Sequence, residues 1–431
     1  MISPVFSVLF VAFLLLTLVL QFWLGSRHIR HILQYRSAVP AEFAAKIPLA
    51  AHQKAADYTI AKTKLGMIML LVSSAMLIGF TLFGGLQFLA VSLVKLTGPG
   101  MKYQISLLAA FAVISSLIDL PFEYYKQFVL EEKFGFNKMT LGLFFGDMIK
   151  GALLGALIGL PLIWVMLTLM DKSGALWWLY AWLVWSGFQL LMMLIFPTWI
   201  APLFNKFTPL ADEALRSRIE GLMQRVGFAS KGLFVMDGSK RSAHGNAYFS
   251  GFGASKRIVF FDTLLARLAP EEIEAVLAHE LGHFKLKHIV KRIGVMFLVS
   301  LGFLALLGFL KQQIWFYTGL GVEPMLLASN DAMALILFML TLPVFTFVLS
   351  PLTSISSRKH EFEADAFAAK HTNADNLVAA LVKLYEDNAS TLTPDPLHSA
   401  FYDSHPPASL RISRLQQAPM RVTPELNGAT S

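Results

Sequence analysis

The chain has 431 residues, of which 55% are hydrophobic and only 15% are charged, and it contains no cysteine. This composition is too apolar for a soluble enzyme of this length and indicates a polytopic membrane protein. The lack of cysteine excludes a disulfide framework and a thiolate zinc site, so any metal must be bound by histidine and carboxylate. The net charge of +8 comes without a compact basic and aromatic module, so nucleic acid is not an expected partner.

Seven uncharged runs are long enough to predict membrane spans, because a bilayer core is crossed by roughly 20 helical residues. They cover residues 1–26, 65–94, 103–118, 151–170, 173–205, 293–310 and 332–357. The loop between the first two runs is rich in Lys and Arg, so the positive-inside rule predicts that it is cytoplasmic. Alternation along seven spans then predicts that residues 206–288 and the C-terminal tail are also cytoplasmic.

The segments next to the first three spans predict structure less clearly than the spans themselves do. Residues 27–64 are polar and alanine-rich, and we expect them to be mostly helical. Ionisable residues cluster between residues 119 and 138, at the end of the third span. Because charge facing lipid is costly, this cluster indicates either an interfacial loop or a water-filled cavity, and the sequence leaves both open.

Residues 206–288 form the first predicted soluble part. Apolar positions at helical spacing predict a helix over 211–227, and strand-like runs follow at 232–236 and 257–261. The stretch 245–253 alternates and is punctuated by glycine, which suits an edge strand. In a protease, such an edge can bind an extended peptide by strand addition.

A His-Glu-x-x-His motif follows at residues 279–283, in a helix predicted to begin at Pro270. His279 and His283 lie about 40° apart around a helix, so they share a face and can bind one Zn²⁺. Glu280 lies on the adjacent flank, where it can act as a general base on a water molecule at that ion. The alternative for the bare motif is a chance match on a surface helix, but the proline and acidic first turn supply the helix that the chemistry needs.

A catalytic zinc usually has three protein ligands and one open position. His288 would lie about 140° around the same helix from His283, so we do not expect it to face the same ion. A second helix is predicted after the seventh span, and on it Glu361 and Asp365 share a face, whereas Glu363 points about 200° away from Glu361. Glu361 is therefore the best candidate for the third ligand, and Asp365 can accept a hydrogen bond from a ligating imidazole.

Several of these stretches resemble the integral-membrane zinc endopeptidases called CAAX prenyl protease 1. The stretches are EEKFGFN at 131–137, NAYF at 246–249, KRIVFFDTLL at 256–265, HELGH at 279–283, SRKHEFEADAFA at 357–368 and SHPP at 404–407. The resemblance extends from the first cytoplasmic loop to about residue 415. It implies one Zn²⁺ per chain, with Glu361 as the third ligand. It also implies that Asp365 contacts the ligands and does not bind the ion itself.

The resemblance also implies roles for residues that spacing alone does not assign. His405, which could otherwise be a turn histidine beside two prolines, would polarise or hold the scissile carbonyl together with Arg411. The residues implied to bind the substrate backbone are Asn246, Ala247, Tyr248 and Phe249.

The implied fold is mainly α, with seven transmembrane helices in a helical barrel around a large water-filled chamber. A cytoplasmic, gluzincin-like zinc metallopeptidase domain with a small β-sheet would lie at one end of it. We expect the chain to divide into four parts. Residues 1–205 form the first five spans with their loops, 206–288 the first part of the zinc domain, 289–357 spans six and seven, and 358–431 the second part of the zinc domain.

The predicted function is that of a membrane zinc metalloendopeptidase that processes the C-terminus of a prenylated or amphipathic peptide. One alternative is a broad-specificity quality-control metallopeptidase, and another is a non-enzymatic transporter or receptor with a structural metal. The expected partners are a peptide or protein substrate and the lipid bilayer. The short external segment after span six and the lack of a retention signal favour a bacterial inner membrane over the endoplasmic reticulum.

Overall fold

The computed structural model describes residues 2–250, 256–326 and 328–417. Among these residues, seven helices are long and apolar enough to cross a membrane, which confirms the predicted number of spans. They are Ser3–Tyr35, Leu49–Phe80, Met101–Glu131, Leu141–Lys172, Gly174–Leu203, His288–Leu310 and Asp331–His371.

The individual α-helices are numbered in chain order. They are α1 Ile2–Tyr35, α2 Leu49–Phe80, α3 Gly85–Thr97, α4 Met101–Tyr125, α5 Leu141–Lys172, α6 Trp177–Ile195, α7 Glu213–Arg225, α8 Asp262–Leu265, α9 Pro270–Lys285, α10 His288–Leu310, α11 Ile314–Thr318, α12 Asp331–Thr346, α13 Ser350–His371, α14 Ala374–Asp387, α15 Pro396–Tyr402 and α16 Ala408–Gln417. π-Helical turns extend α4 over Lys126–Glu131 and α6 over Phe196–Ile200.

The second span differs from its prediction at both ends. α2 begins at Leu49, inside the predicted loop, and ends at Phe80, although the uncharged run continues to residue 94. The chain turns at Gly84, whose φ of 76° is a left-handed conformation that glycine adopts without strain, and α3 follows as a separate apolar helix. Uncharged composition does not mark such a break, so the run 65–94 suggested one span where the structure has two helices.

The ionisable residues at the end of the third span contact the soluble part. The Tyr58 hydroxyl in α2 donates a 2.6 Å hydrogen bond to Glu131, and His244 Nε2 lies 3.4 Å from the same carboxylate. This border is therefore a polar junction between two spans and the segment that precedes the edge strand.

The spans contact one another in a ring. α1 packs on α2, α3 joins α2 to α4, and the ring continues through α5, α6, α10 and α12 back to α1, while α12 also packs against α4 and α5. At most 17% of the most apolar window of each of the first six spans is buried, against 44% for the seventh. Because helices in a filled bundle bury one face of each helix, this low burial indicates a hollow barrel and confirms the predicted fold class.

Apolar side chains close the barrel at the end away from the metal motif. Phe10 of α1, Leu77 of α2, Tyr103 of α4 and Trp177 of α6 are buried in one cluster, which also includes the first turns of α12. Protein interiors of this kind are close-packed and have few voids as large as a water molecule. The hollow part therefore lies between this cluster and the soluble part.

The soluble part contains a four-stranded mixed sheet. Its strands are β1 Phe207–Pro209, β2 Leu233–Met236, β3 Ala247–Ser250 and β4 Arg257–Phe261. The order is β1-β2-β4-β3, in which β2 and β4 are parallel and the other pairs are antiparallel. β3 is thus an edge strand of this sheet, as the alternating stretch predicted, and residues 251–253 of that stretch lie outside the described residues.

One hydrophobic core joins the two distant parts of the chain that flank the last two spans. Ile219 of α7, Phe260 of β4 and Leu277 of α9 are buried against Leu377 of α14 and Ile412 of α16. This shared core fixes α9 against α13 and α14, and α16 packs against the same two helices. The position of the metal motif relative to α13 depends on this packing.

Candidate metal centre and active site

The motif lies on α9, which begins at Pro270 as its sequence predicted. Proline suits the first turn because it has no N–H to leave unpaired, and the acidic residues of that turn are favoured by the helix dipole. The carboxylate of Glu272 accepts the backbone N–H of Ala269 at 2.7 Å and the ammonium of Lys383 at 2.8 Å. These contacts anchor the start of the helix.

α13 crosses α9 at very short range beside the motif. A Cβ atom added at Gly282 would lie 3.0 Å from Ala364 Cα and 3.1 Å from Phe367 Cβ. Glycine between Leu281 and His283 therefore allows the backbones to approach. As a result, a carboxylate from α13 reaches both motif histidines.

The side chains of His279, His283 and Glu361 converge at this crossing. The two Nε2 atoms are 3.2 Å apart, and the Glu361 oxygens lie 3.4 Å from His279 Nε2 and 3.2 Å from His283 Nε2. A tetrahedral zinc ion with ligands at about 2.1 Å spaces those ligands about 3.4 Å apart. The trio therefore has the spacing of a three-ligand zinc site.

The environment of Glu361 is also that of a cation ligand. Its Oε2 atom is buried and has no hydrogen-bond partner among the described residues. A buried carboxylate oxygen is costly unless a cation neutralises it, and the Arg411 guanidinium, 3.6 Å away, is too distant to donate a hydrogen bond to it. The donor set of two imidazoles and one carboxylate is one that catalytic zinc commonly has, so these residues fit the ion.

Asp365 and Arg411 support the first imidazole from behind. His279 Nδ1 is 2.8 Å from Asp365 Oδ1, so its N–H donates to the carboxylate and Nε2 faces the site. Arg411 donates to both oxygens of Asp365, at 2.8 and 2.6 Å, and its third nitrogen lies 3.6 Å from Glu361 Oε2. Asp365 is therefore where its spacing predicted, and Arg411 is held by the two carboxylates.

These contacts also control the protonation of His279. Burial alone would lower the pKa of this imidazole, but the hydrogen bond to Asp365 and the nearby carboxylate of Glu361 outweigh burial and raise the pKa to about 9. In the absence of metal the ring is thus protonated at neutral pH. A metal ion must displace that proton to bind.

Glu280 and His405 are on the open side of the trio. The Glu280 carboxylate is half-buried and takes part in no hydrogen bond or ion pair within the described part of the chain, although it interacts electrostatically with His405. The His405 side chain is 61% exposed, and its Nε2 lies 3.4 Å from Glu361 Oε1. Ser404 Oγ is 2.9 Å from His405 Nδ1, so the ring is oriented by its neighbour.

The edge strand borders an apolar cavity. Tyr248 and Phe249 line it together with Phe284 of α9, and its volume is about 1020 Å³. Asn246, just before β3, is exposed, and its side-chain oxygen accepts the N–H of Ala247 at 2.8 Å. The four residues that the resemblance assigned to substrate thus lie along one edge beside a cavity.

His288 is not part of the trio, as predicted, but the reason differs, because the motif helix does not continue to this residue. α9 ends at Lys285, and Lys287 adopts a left-handed φ of 58° before α10 begins. His288 therefore turns back, and its Nδ1 lies 3.1 Å from His283 Nδ1. Its Nε2 lies 2.9 Å from Glu363, the carboxylate predicted to point away from Glu361.

A seven-span barrel that brings a His-Glu-x-x-His helix against a glutamate of a second helix defines the class of integral-membrane zinc metallopeptidases. Comparison with known proteins agrees with this assignment. Residues 28–206 match the family model described as CAAX prenyl protease N-terminal, five membrane helices, and residues 209–418 match peptidase family M48. The chain belongs to the CAAX prenyl protease 1 family and is a multi-pass membrane zinc metalloendopeptidase.

Similar proteins match over most of their length. The chain is 39% identical to CAAX prenyl protease 1 of Saccharomyces cerevisiae, over 84% of this chain and 85% of that protein. It is 42% identical to the CAAX prenyl protease 1 homolog of Oryza sativa, over 73% and 74% of the two chains. The crystal structure of S. mikatae Ste24p covers 95% of this chain and 99% of its own, at 34% identity and a TM-score of 0.88. These matches confirm the predicted family, fold class and enzymatic function.

Proposed function

We propose that the enzyme cleaves prenylated or amphipathic peptide substrates near their C-terminus, with one Zn²⁺ held by His279, His283 and Glu361. The observation that carries this proposal is that the two Nε2 atoms are 3.2 Å apart and that each lies 3.2–3.4 Å from one oxygen of Glu361. The names of the relatives support the type of substrate. The broad quality-control alternative is not favoured by these relatives, and a structural zinc would be expected to have a fourth protein ligand.

The proposed chemistry is hydrolysis of a peptide bond. Zinc, when bound, supplies Lewis-acid activation of water and of the scissile carbonyl. Glu280 removes the proton from the attacking water and delivers it to the leaving amine, for which its uncommitted carboxylate is suited. Asp365 keeps the proton of His279 on Nδ1, so that Nε2 stays available as a ligand.

His405 and Arg411 have different proposed roles. His405 Nε2 reaches the open side of the trio, so its N–H can donate to the oxyanion that develops on the carbonyl oxygen. The resemblance assigned Arg411 to the same carbonyl. Because the guanidinium is buried and bound to Asp365, we propose that Arg411 acts mainly as a positioning residue for the metal ligands.

The proposed substrate path follows β3. An extended peptide can pair with its free edge, for which Asn246 is exposed at the start of the strand. The adjacent cavity is mostly apolar, and Lys256, Lys287 and Arg292 contribute to its lining. Apolar surface suits a prenyl chain or apolar side chains, and the cations suit a free C-terminal carboxylate.

The positive-inside rule supports a cytoplasmic position for this site, because the basic first loop lies on the same side as the soluble part. Phe43 and Ile47 of that loop are buried in the core that contains α9, which supports the common side. The membrane is the inner membrane in a bacterial source and the endoplasmic reticulum in a eukaryotic one.

A paired cleavage assay tests the proposal. The purified full-length protein would be incubated with a farnesylated C-terminal peptide, the same peptide without farnesyl, and an unfolded membrane protein, each with and without chelator. We expect chelator-sensitive cleavage that is fastest for the farnesylated peptide. Equal cleavage of all three substrates would instead support quality control, and zinc binding without any cleavage would contradict an enzymatic role.

A further inference from the structure

A second group of potential metal ligands lies behind His283, on the side away from the trio. It consists of His288, His360 and Glu363, whose ligand atoms lie within 4.8 Å of one another. None of these residues contributes a ligand atom to the trio itself. Two imidazoles and a carboxylate form a donor set that zinc and related divalent ions accept.

The group is partly assembled in the structure. His288 is only 4% exposed and its Nε2 is 2.9 Å from Glu363 Oε2. The ring of His360 stacks on that of His288, with centroids 4.0 Å apart and planes 15° apart. No hydrogen bond among the described residues holds the nitrogens of His360, so its ring can rotate. Such a rotation is needed, because a tetrahedral ion spaces its ligands about 3.4 Å apart.

The group is also coupled to the trio through one proton. His283 Nδ1 and His288 Nδ1 are 3.1 Å apart, a distance that accommodates a single shared proton. When His283 presents Nε2 to the trio, its proton is on Nδ1 and is donated to His288 Nδ1. The proton of His288 is then on Nε2 and is donated to Glu363.

An ion on His288 Nε2 would change this arrangement. The ion would need the lone pair of Nε2, so the single proton of the neutral His288 ring would move from Nε2 to Nδ1. Two N–H groups would then face each other over the 3.1 Å contact. The hydrogen bond would be lost, and the ring of His283 would have to move.

We propose that His288, His360 and Glu363 form a second, weaker site for a divalent transition-metal ion, and that occupation of this site weakens the catalytic one. The effect on catalysis rests on the proposed function, because it assumes that His283 binds the catalytic zinc. The second site itself depends only on the three named residues.

A count of bound metal tests the site without any need for cleavage. The full-length protein in detergent would be dialysed against increasing buffered Zn²⁺, and the bound zinc would be counted by atomic absorption. We expect two ions per chain at saturation for wild type and one for His360→Phe, which keeps a ring for stacking but has no ligand atom. His371→Phe, on the same helix α13, is the matched control and should keep two. A single ion in wild type, or two ions in His360→Phe, would overturn the proposal.

The coupling is tested by peptide cleavage in the same zinc series. Excess Zn²⁺ should inhibit wild type, and the midpoint of inhibition should rise at least tenfold in both His360→Phe and Glu363→Gln. Equal midpoints in wild type and the two variants would place the inhibition at the catalytic centre and refute the coupling. If the protein binds two ions but cleaves nothing, the proposed function fails while the second site stands.

Discussion

Arg411 and Asp365 form a two-point ion pair, with the guanidinium Nε and one terminal nitrogen 2.8 and 2.6 Å from the two carboxylate oxygens. Both side chains are buried, and Asp365 also accepts the Nδ1–H of His279. Breaking a buried pair from one side leaves an uncompensated charge. α16 thereby stabilises the metal centre although it supplies no ligand.

Replacement of Arg411 by lysine should therefore weaken zinc binding by about 10- to 100-fold, because the two-point bond to Asp365 is lost. Competition with a zinc-binding dye measures the change. Arg414→Lys is the control on the same helix, since Arg414 lies over the ring of Phe362 and not at the metal centre. Equal zinc affinities in the two variants would show that the pair does not position His279.

Glu280→Gln should keep zinc but lose about 10²- to 10⁴-fold in the rate of cleavage, because the amide cannot accept the proton of the attacking water. Zinc content by atomic absorption and the initial rate on a model peptide are measured together. Wild-type cleavage by this variant would refute the assignment of the general base.

Gly282→Ala should destabilise the protein by about 1–3 kcal/mol, because the added methyl group would be 3.0 Å from the backbone of Ala364. It should also weaken zinc binding, since separation of α9 and α13 moves Glu361 away from the histidines. Thermal unfolding and zinc affinity are the measurements. Gly302→Ala on α10 is the matched control, since its added Cβ would meet no atom within 4 Å, and a similar loss there would contradict the close crossing.

His398 should make the protein less stable in mild acid. Burial lowers the pKa of His398 from 6.5 to about 4, with Asp395 opposing the shift. Between pH 6.5 and 4 the unfolded chain binds a proton that the folded chain does not. The free energy of unfolding therefore decreases as the pH is lowered, by up to about 1.4 kcal/mol per pH unit. His398→Gln should flatten this dependence when melting temperatures are compared from pH 7 to pH 4. Parallel curves for the two proteins would contradict the prediction.

Sequence patterns predicted the parts of the structure that depend on local periodicity. The seven spans follow from uncharged runs, because charge inside a bilayer is costly along any helix. The motif helix follows from Pro270 and its acidic first turn, and the shared face of Glu361 and Asp365 follows from a spacing of four residues. These features need no knowledge of long-range contacts.

The features that the sequence did not reveal depend on single backbone torsions or on tertiary contacts. α2 ends at Phe80 and the chain turns at Gly84, inside a run that is apolar on both sides. Lys287 adopts a left-handed conformation that is unusual for lysine, and it redirects His288 towards His283. The i, i+3 spacing of His360 and Glu363 was a visible signal for the second group, but its partner His288 could be recognised only from the turn.

The apolar cluster around Phe10 and Trp177 closes one end of the interior of the barrel. A substrate that reaches the metal must leave by the mouth through which it entered, or sideways between helices into lipid. The same blocked end argues against a conduit that moves cargo from one compartment to the other.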